Sequence, residues 1–307
     1  MNDIAILLAT YNGEKYLSEQ IDSLLNQTET NWICYIHDDG SNDKTLIIAK
    51  EYETKYPNKF KIFDYPPQGG AKQNFISMLK LIDEPYAMFC DQDDIWLPHK
   101  ISIELSKMKE IENDGVEREI LVYSDSKVVD SDLNIIYESL LHHLEIQPMN
   151  DLRFFLFNNC IQGATIMMNK ALYSRVSRCD ANNIPMHDQW CAAAAAANGT
   201  IGFIDVPLLL YRQHGNNIIG AGAGTNHLQK AGLFFNKREK QKYLDDTFEP
   251  LITMAGEVLK NCKIQGEEYE TVYNLYNYKS LKINQRIKLL KDLKVKPSGI
   301  ILRAFYS

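Results

Sequence analysis

Asp91-Gln92-Asp93-Asp94 is the segment of this 307-residue chain with the most definite chemical content. Three carboxylates within four positions repel one another unless a cation or a dense set of donors neutralises them. Hard oxygen ligands on a loop suit Mg2+ or Mn2+, which bridge to phosphate oxygens while keeping some of their water. A D-x-D pattern alone usually marks an exposed acidic turn. Here it follows an apolar run, Tyr86-Ala87-Met88-Phe89-Cys90, and precedes Ile95-Trp96-Leu97-Pro98. At the end of a buried strand the metal-binding reading is favoured. Two further polar clusters end apolar runs in the same way: Thr10-Tyr11-Asn12, and Asp38-Asp39-Gly40-Ser41.

The elements that must position these loops follow from periodicity. Apolar, β-forming runs at 4–9, 32–37, 61–64, 86–90 and 121–124 alternate with stretches of helical spacing. Examples are Leu17, Ile21, Leu24 and Leu25, and Phe75, Met78, Leu79 and Ile82. Such alternation implies an α/β fold with a mostly parallel sheet covered by helices, which binds ligands beyond the C-terminal ends of its strands. The polar clusters fall at three of those ends and predict one cleft. After residue 126 the alternation loosens, with strands expected at 161–168 and 201–204. A helix is expected from about Asp188 through the alanines at 192–197. Beyond residue 226 the pattern is helical only. The expected division is therefore a catalytic domain over 1–220 and a helical C-terminal region over 221–307.

Bulk properties narrow the class. The net charge of −7 gives the molecule no electrostatic reason to seek nucleic acid. Six cysteines show no C-x-x-C pairing, and the chain opens on an apolar strand with no basic leader, so reduced thiols in a cytoplasmic protein are expected. No apolar run approaches the roughly 18 residues a spanning helix needs. From Lys282 onward, however, seven basic residues face Asp292 alone, a balance of +6 that leaves −13 on the rest. Ile283, Ile287, Leu290 and Leu293 repeat through that stretch at helical spacing. Such a basic amphipathic helix either lies on an anionic membrane surface or packs on the catalytic domain.

Several ordered motifs together resemble the family-2 glycosyltransferases of the GT-A fold, over roughly residues 3 to 220. They are Leu8-Ala9-Thr10-Tyr11-Asn12-Gly13, Asp38-Asp39-Gly40-Ser41-Asn42-Asp43-Lys44-Thr45, and Phe89-Cys90-Asp91-Gln92-Asp93-Asp94. Gln162-Gly163-Ala164-Thr165, His187-Asp188-Gln189-Trp190 and Tyr211-Arg212-Gln213-His214 follow. The resemblance implies that Thr10, Tyr11 and Asn12 line the nucleotide base. It implies that Asp39 accepts from a pyrimidine N–H, although Asp38 or Asp39 could instead cap the next helix with Ser41. Lys72 matches a position near the nucleotide, or is a surface lysine. Asp91, with Gln92 beside it, is implied near the ribose and Asp93 on the metal, with Asp94 behind them or capping a helix. His214 matches a further metal or diphosphate contact, where a loop histidine is otherwise plain polar surface. Asp188 is the implied general base, with helix capping as the competing role. Trp190 is read as packing before acceptor platform.

What the resemblance implies is an inverting, Mn2+- or Mg2+-dependent transfer from a nucleoside-diphosphate sugar to a hydroxyl. The motif set looks most like the bacterial rhamnosyltransferase-type branch. The implied donor is dTDP-L-rhamnose, ahead of UDP-glucose or UDP-galactose, and the acceptor a lipid-linked surface glycan at the inner membrane face. A sugar nucleotidyltransferase would need a glycine-rich basic loop after the first strand, which Thr10-Tyr11-Asn12-Gly13 lacks. A non-catalytic nucleotide-sugar-binding protein stays open as a rival. Gly220-Ala221-Gly222-Ala223-Gly224 imitates a dinucleotide loop without its strand or its third-glycine spacing, and reads better as a lid over the donor.

Overall fold

The computed structural model describes residues 2–214 and 237–293. Strand β1 (Ile4–Thr10), helix α1 (Leu17–Leu25), β2 (Trp32–Asp38), α2 (Thr45–Lys55), β3 (Phe60–Ile62), α3 (Ala71–Met78) and β4 (Tyr86–Asp91) alternate as the periodicity requires. Next come β5 (Ile95–Trp96), α4 (Lys100–Glu112), β6 (Glu119–Val129), β7 (Ile135–Tyr137), α5 (Leu140–His143) and α6 (Leu152–Phe155). Then follow β8 (Ile166–Asn169), α7 (Lys170–Val176), α8 (His187–Asn198) and β9 (Gly199–Arg212). Helices α9 (Lys237–Asn261), α10 (Gly266–Tyr276) and α11 (Ile283–Asp292) complete the described chain. The expected division at residue 220, and the Gly220–Gly224 run, lie outside the described residues.

One sheet runs β3-β2-β1-β4-β8-β6-β9-β5, with β7 beside β6. Its first four strands are parallel, β8 is antiparallel to both neighbours, and β6 and β9 are again parallel. Strand β1 shows why the parallel half forms. Its side chains alternate between two faces, and both faces are apolar, as a sheet covered on both sides demands. Ile4, Ile6 and Leu8 join the core that holds Leu17, Ile21 and Leu24 of α1. Ala5 and Leu7 join the opposite core, with Phe75 of α3 and Ala192, Ala193, Ala194 and Ala195 of α8. The alanine run is a tight packing face, fully buried from Ala192 to Ala195. Phe248, Val258, Val272, Leu275, Leu289 and Leu293 of the C-terminal helices enter this same core.

Register aligns the functional loops. Thr10 lies opposite Asp38 across β1 and β2, and Ala9 opposite Asp91 across β1 and β4. Two expectations change. Where a strand was expected from 161, Gly163–Thr165 form a 3-10 turn and β8 begins only at Ile166. The Thr165 hydroxyl donates to the Gln162 carbonyl at 2.7 Å, which closes that turn. Strand β9 runs fourteen residues instead of four. Register shifts beside Ser124 and Asp125 break its pairing with β6, and residues such as Asp205 and Val206 are exposed between apolar stretches. The extension matters, because it delivers Arg212 to the acidic loop.

Beneath that loop lies a fully buried ion pair, Lys100 Nζ to Glu104 Oε1 at 2.6 Å, with Ser124 donating to the same oxygen at 2.9 Å. The ammonium also sits 4.5 Å from the Trp96 ring centroid. Breaking such a pair by removing one partner strands the other charge in the core.

Candidate active site

The loops after β1 and β2 are laced together by side chains that bond backbone. Thr10 Oγ1 donates to Asp38 Oδ1 at 3.0 Å. Asp38 also accepts the Gly40 and Ser41 amides at 3.1 and 2.8 Å, so it holds its own turn and does not cap α2. Asp43 takes the amide of Thr45, the first residue of α2, at 2.9 Å. Asn12 has φ 47°, a left-handed conformation that asparagine tolerates. Its amide donates to Ser41 Oγ and its Oδ1 accepts from Asn42 N–H, both at 2.8 Å. The Tyr11 ring is 54% exposed beyond the strand, so it is not part of the core.

Gln92 clamps this loop from the acidic side. Its Oε1 accepts the Tyr11 amide at 2.8 Å and its Nε2 donates to the Tyr11 carbonyl at 2.9 Å. A Cβ on Gly13 would stand 2.2 Å from that Oε1, so a side chain there would displace the clamp. Asp39 is likewise occupied: its carboxylate gathers the amides of Gln68, Gly69 and Gly70, the last two at 3.1 and 2.6 Å. Gly69 and Gly70 take positive φ, which brings their amides onto one carboxylate. Lys72 donates from Nζ to the Ile184 carbonyl at 2.7 Å, toward the segment that leads into α8.

At the end of β4 the acidic loop meets the end of β9. Asp93 Oδ2 lies 2.9 Å from His214 Nε2, across 121 positions of sequence. The carboxylate oxygen suits Mn2+ or Mg2+, and the imidazole nitrogen beside it favours the softer Mn2+ of the two. Among the described residues no group of three or more side chains forms a complete metal site. Two such side chains could hold an ion only if other molecules supplied its remaining ligands. Behind it, burial and then the charges of Asp93 and Asp91 hold the Asp94 carboxyl well above the usual range. Burial, followed by Asp93 and Asp188, pushes Asp91 up to about 7.

Asp188 sits in the first turn of α8, two residues past the N-cap Met186, which makes no side-chain cap. Its Oδ1 accepts the Gln189 amide at 2.7 Å, and the Asn159 side chain and Gly163 amide also donate to it. Burial pushes its carboxyl up to about 6 despite those bonds. Next to it His187 is buried between Phe75 and Phe89, their ring centroids 4.4 and 4.9 Å away, and burial lowers it to about 3. A Cβ on Gly163 would come within 2.5 Å of the His187 Nε2. Only glycine fits against that ring while giving its amide to Asp188. Trp190 is fully buried, with Nε1 donating to the Val176 carbonyl at 3.1 Å, so it packs and offers no platform.

Comparison with known proteins bears on what this cleft belongs to. Residues 5–174 match the family model described as Glycosyl transferase family 2. The chain belongs to that family. Over 243 residues it is 30% identical to the dTDP-rhamnosyl transferase RfbG of Shigella flexneri, covering 75% of this chain and 80% of that one. Among solved structures it resembles S. aureus TarS in complex with UDP-GlcNAc, with TM-score 0.57, 17% identity, and 95% and 80% of the two chains covered. It also resembles the mannosyltransferase PcManGT of Pyrobaculum calidifontis in complex with GDP-Man and Mn2+. There the TM-score is 0.53 at 12% identity, covering 96% of this chain and 76% of that one. At those identities the likeness is one of fold, the GT-A fold, and the protein is a glycosyltransferase.

Two residues packed around the Asp93–His214 pair escape sequence reasoning. Arg212 was visible only as part of Tyr211-Arg212-Gln213-His214, and Tyr16 had no mark beyond an aromatic near α1. Both touch the His214 neighbourhood: the Tyr16 ring stacks on His214 at 4.9 Å, and Arg212 lies over Tyr16 at 4.5 Å. An arginine after a strand reads as surface until the fold buries it.

Proposed function

We propose that the enzyme is an inverting, metal-dependent transferase that moves a hexosyl group, L-rhamnose from dTDP-L-rhamnose, onto a glycan hydroxyl. The observation that carries this reading is the 2.9 Å contact of Asp93 with His214, where the loop after β4 meets the end of β9. Asp93 and His214 would hold a Mn2+ or Mg2+ ion, which neutralises charge developing on the leaving diphosphate. Asp188 accepts the proton of the acceptor hydroxyl as its oxygen bonds to the anomeric carbon. The bond from that carbon to the diphosphate oxygen breaks, and the nucleoside diphosphate departs with the electron pair. A single displacement inverts the centre and uses no protein nucleophile. The exposed Tyr11 ring is the surface on which a base stacks, while Thr10, Asn12 and Gln92 hold its loop in place. Asp39, Asp91 and Lys72 complete the nucleotide side of the cleft, with Asp39 acting on the base wall at 68–70.

The likeness to RfbG supports dTDP-L-rhamnose, and the UDP-GlcNAc complex of TarS favours a UDP-sugar as the second reading. Thermal shift with dTDP-L-rhamnose, UDP-glucose and UDP-galactose, each with Mn2+, tests the donor, since ligand that binds only the native state raises the melting temperature. The largest shift is expected with dTDP-L-rhamnose, together with slow donor hydrolysis. A larger shift with a UDP-sugar overturns the donor assignment, and binding without any turnover overturns the enzyme reading.

The acceptor in this reading is a lipid-linked precursor of a surface polysaccharide, met on the cytoplasmic face of the membrane. Among the described residues no helix is long and apolar enough to cross a membrane. Leu289 of α11 and Leu293 just after it are buried, so charge and not apolar insertion would drive peripheral binding. Lys282 and Lys288 are exposed. Each basic residue near an anionic surface contributes about 1 kcal/mol, so Lys282→Glu with Lys288→Glu should cut sedimentation with anionic liposomes by more than tenfold. Equal sedimentation of the native and double-variant proteins would remove the membrane from the account.

A further inference from the structure

Arg212 is 2% exposed, and a buried guanidinium is tolerated only when its N–H groups are met. Among the described residues, three chain segments accept from it. Nε donates to the Asp93 carbonyl at 2.9 Å, Nη1 to the Ser131 carbonyl at 2.9 Å, and Nη2 to Glu19 Oε2 at 2.6 Å. The Arg212 amide adds a bond to Asp94 Oδ1 at 3.1 Å. The guanidinium therefore ties α1, the acidic loop and the turn after β6 to the end of β9. Its flat face lies over Tyr16, and the same ring stacks on the His214 imidazole, the two planes 29° apart.

The result is a closed circuit around Asp93. One arm runs from Arg212 to the Asp93 carbonyl. The other runs from Arg212 through the Tyr16 ring to His214, and from there to the Asp93 carboxylate. Arg212 thus bonds the backbone of Asp93 directly and bears on the plane of His214 through Tyr16, while reaching neither donor atom of the pair. We infer that Arg212 is the positioning residue that sets Asp93 and His214 in register to share a divalent cation. The inference rests on the metal role given to that pair above. Lysine cannot replace the arginine here: an ammonium has no flat face for Tyr16 and no fork to span Asp93, Ser131 and Glu19.

The test titrates Mn2+ into the full chain with UDP present and follows free Mn2+ by its electron paramagnetic resonance signal. UDP binding in EDTA is measured beside it by calorimetry. Arg212→Lys is expected to raise the Mn2+ half-saturation point roughly 10- to 100-fold, the usual cost of losing a group that orients a ligand, with UDP binding in EDTA unchanged. Tyr16→Leu keeps the guanidinium's hydrogen bonds but removes the ring, and should shift the midpoint in the same direction. It also decides the matter if Arg212→Lys fails to fold. Glu19→Gln retains an acceptor for Nη2 and should restore near-native Mn2+ binding where Glu19→Ala weakens it. A purely structural role for Arg212 would lower the melting temperature and leave every Mn2+ midpoint unmoved, which overturns the inference. A native protein that takes up UDP but no Mn2+ overturns the metal role itself, and is told apart because the wild type shows it.

Discussion

Asp188→Asn is expected to bind donor as the native enzyme does and to transfer sugar roughly two to four orders of magnitude more slowly, the usual worth of a positioned base. Asparagine has nearly the same shape and still offers one oxygen to the Gln189 amide, but it cannot take a proton. In the native enzyme the base must be ionised. With its carboxyl pushed up to about 6 by burial, the transfer rate should rise with pH to about 6 and level off above it. Stability should move the other way. A carboxyl whose folded pKa lies above its unfolded value stabilises the fold fully below the unfolded value, and that contribution is lost as pH rises through the folded value. At pH 8 the native fold bears a half-buried charge that asparagine lacks. Asp188→Asn should therefore be more stable there, by about 1 to 3 kcal/mol. A cap would behave in the opposite sense, since asparagine caps no better than aspartate and turnover would survive. Transfer rate at saturating donor and acceptor, read with the melting temperature at pH 8, decides it. Near-native turnover in a stable variant sends the search to other carboxylates of the cleft.

What the sequence made legible follows one physical rule: side chains that act through periodicity can be read, and side chains that act through backbone partners cannot. Apolar runs with polar ends located the loops after β1, β2 and β4, because a buried strand and an exposed ligand loop differ in composition at every residue. The alanines of α8 and the packing of Trp190 were legible for the same reason. Gln92 and Asp39 were not. Their chemistry is spent on the Tyr11 backbone and on the amides of 68–70, and a peptide group has no letter of its own. Strand β9 was underread because its shifts in register against β6 interrupt the alternation that marks a strand. That error hid Arg212, which a four-residue strand would have left far from the acidic loop. The nearness of His214 to Asp93 came from family resemblance alone, since no spacing rule links positions 93 and 214. Asp188 stood between two roles on the sequence. The fold adds that Met186 holds the cap position, that burial pushes the Asp188 carboxyl up, and that Asp91 feels the Asp188 charge.

Asp93→Asn should separate the metal from the rest of the nucleotide site by changing sign with conditions. With Mn2+ present, loss of the anionic ligand is expected to weaken UDP binding by roughly 100-fold, the upper end of what disturbing a metal ligand's support costs. In EDTA the same variant should bind UDP no worse than native and somewhat better. The carboxylate that attracts a cation repels a bare diphosphate, and asparagine removes that repulsion. The fold should persist, for two reasons visible in the site. The Arg212 guanidinium bonds the carbonyl of Asp93 and not its side chain, so that tie survives the substitution. An asparagine oxygen can also still face His214 Nε2, where the carboxylate now lies at 2.9 Å. Relief of repulsion between neighbouring acids adds to this, because Asp91 and Asp94 are both pushed up in part by the Asp93 charge. A general collapse of the loop would weaken UDP binding equally with and without the ion. Calorimetric titration of UDP in Mn2+ and in EDTA therefore distinguishes the two, and an equal loss in both buffers would take Asp93 out of the metal site.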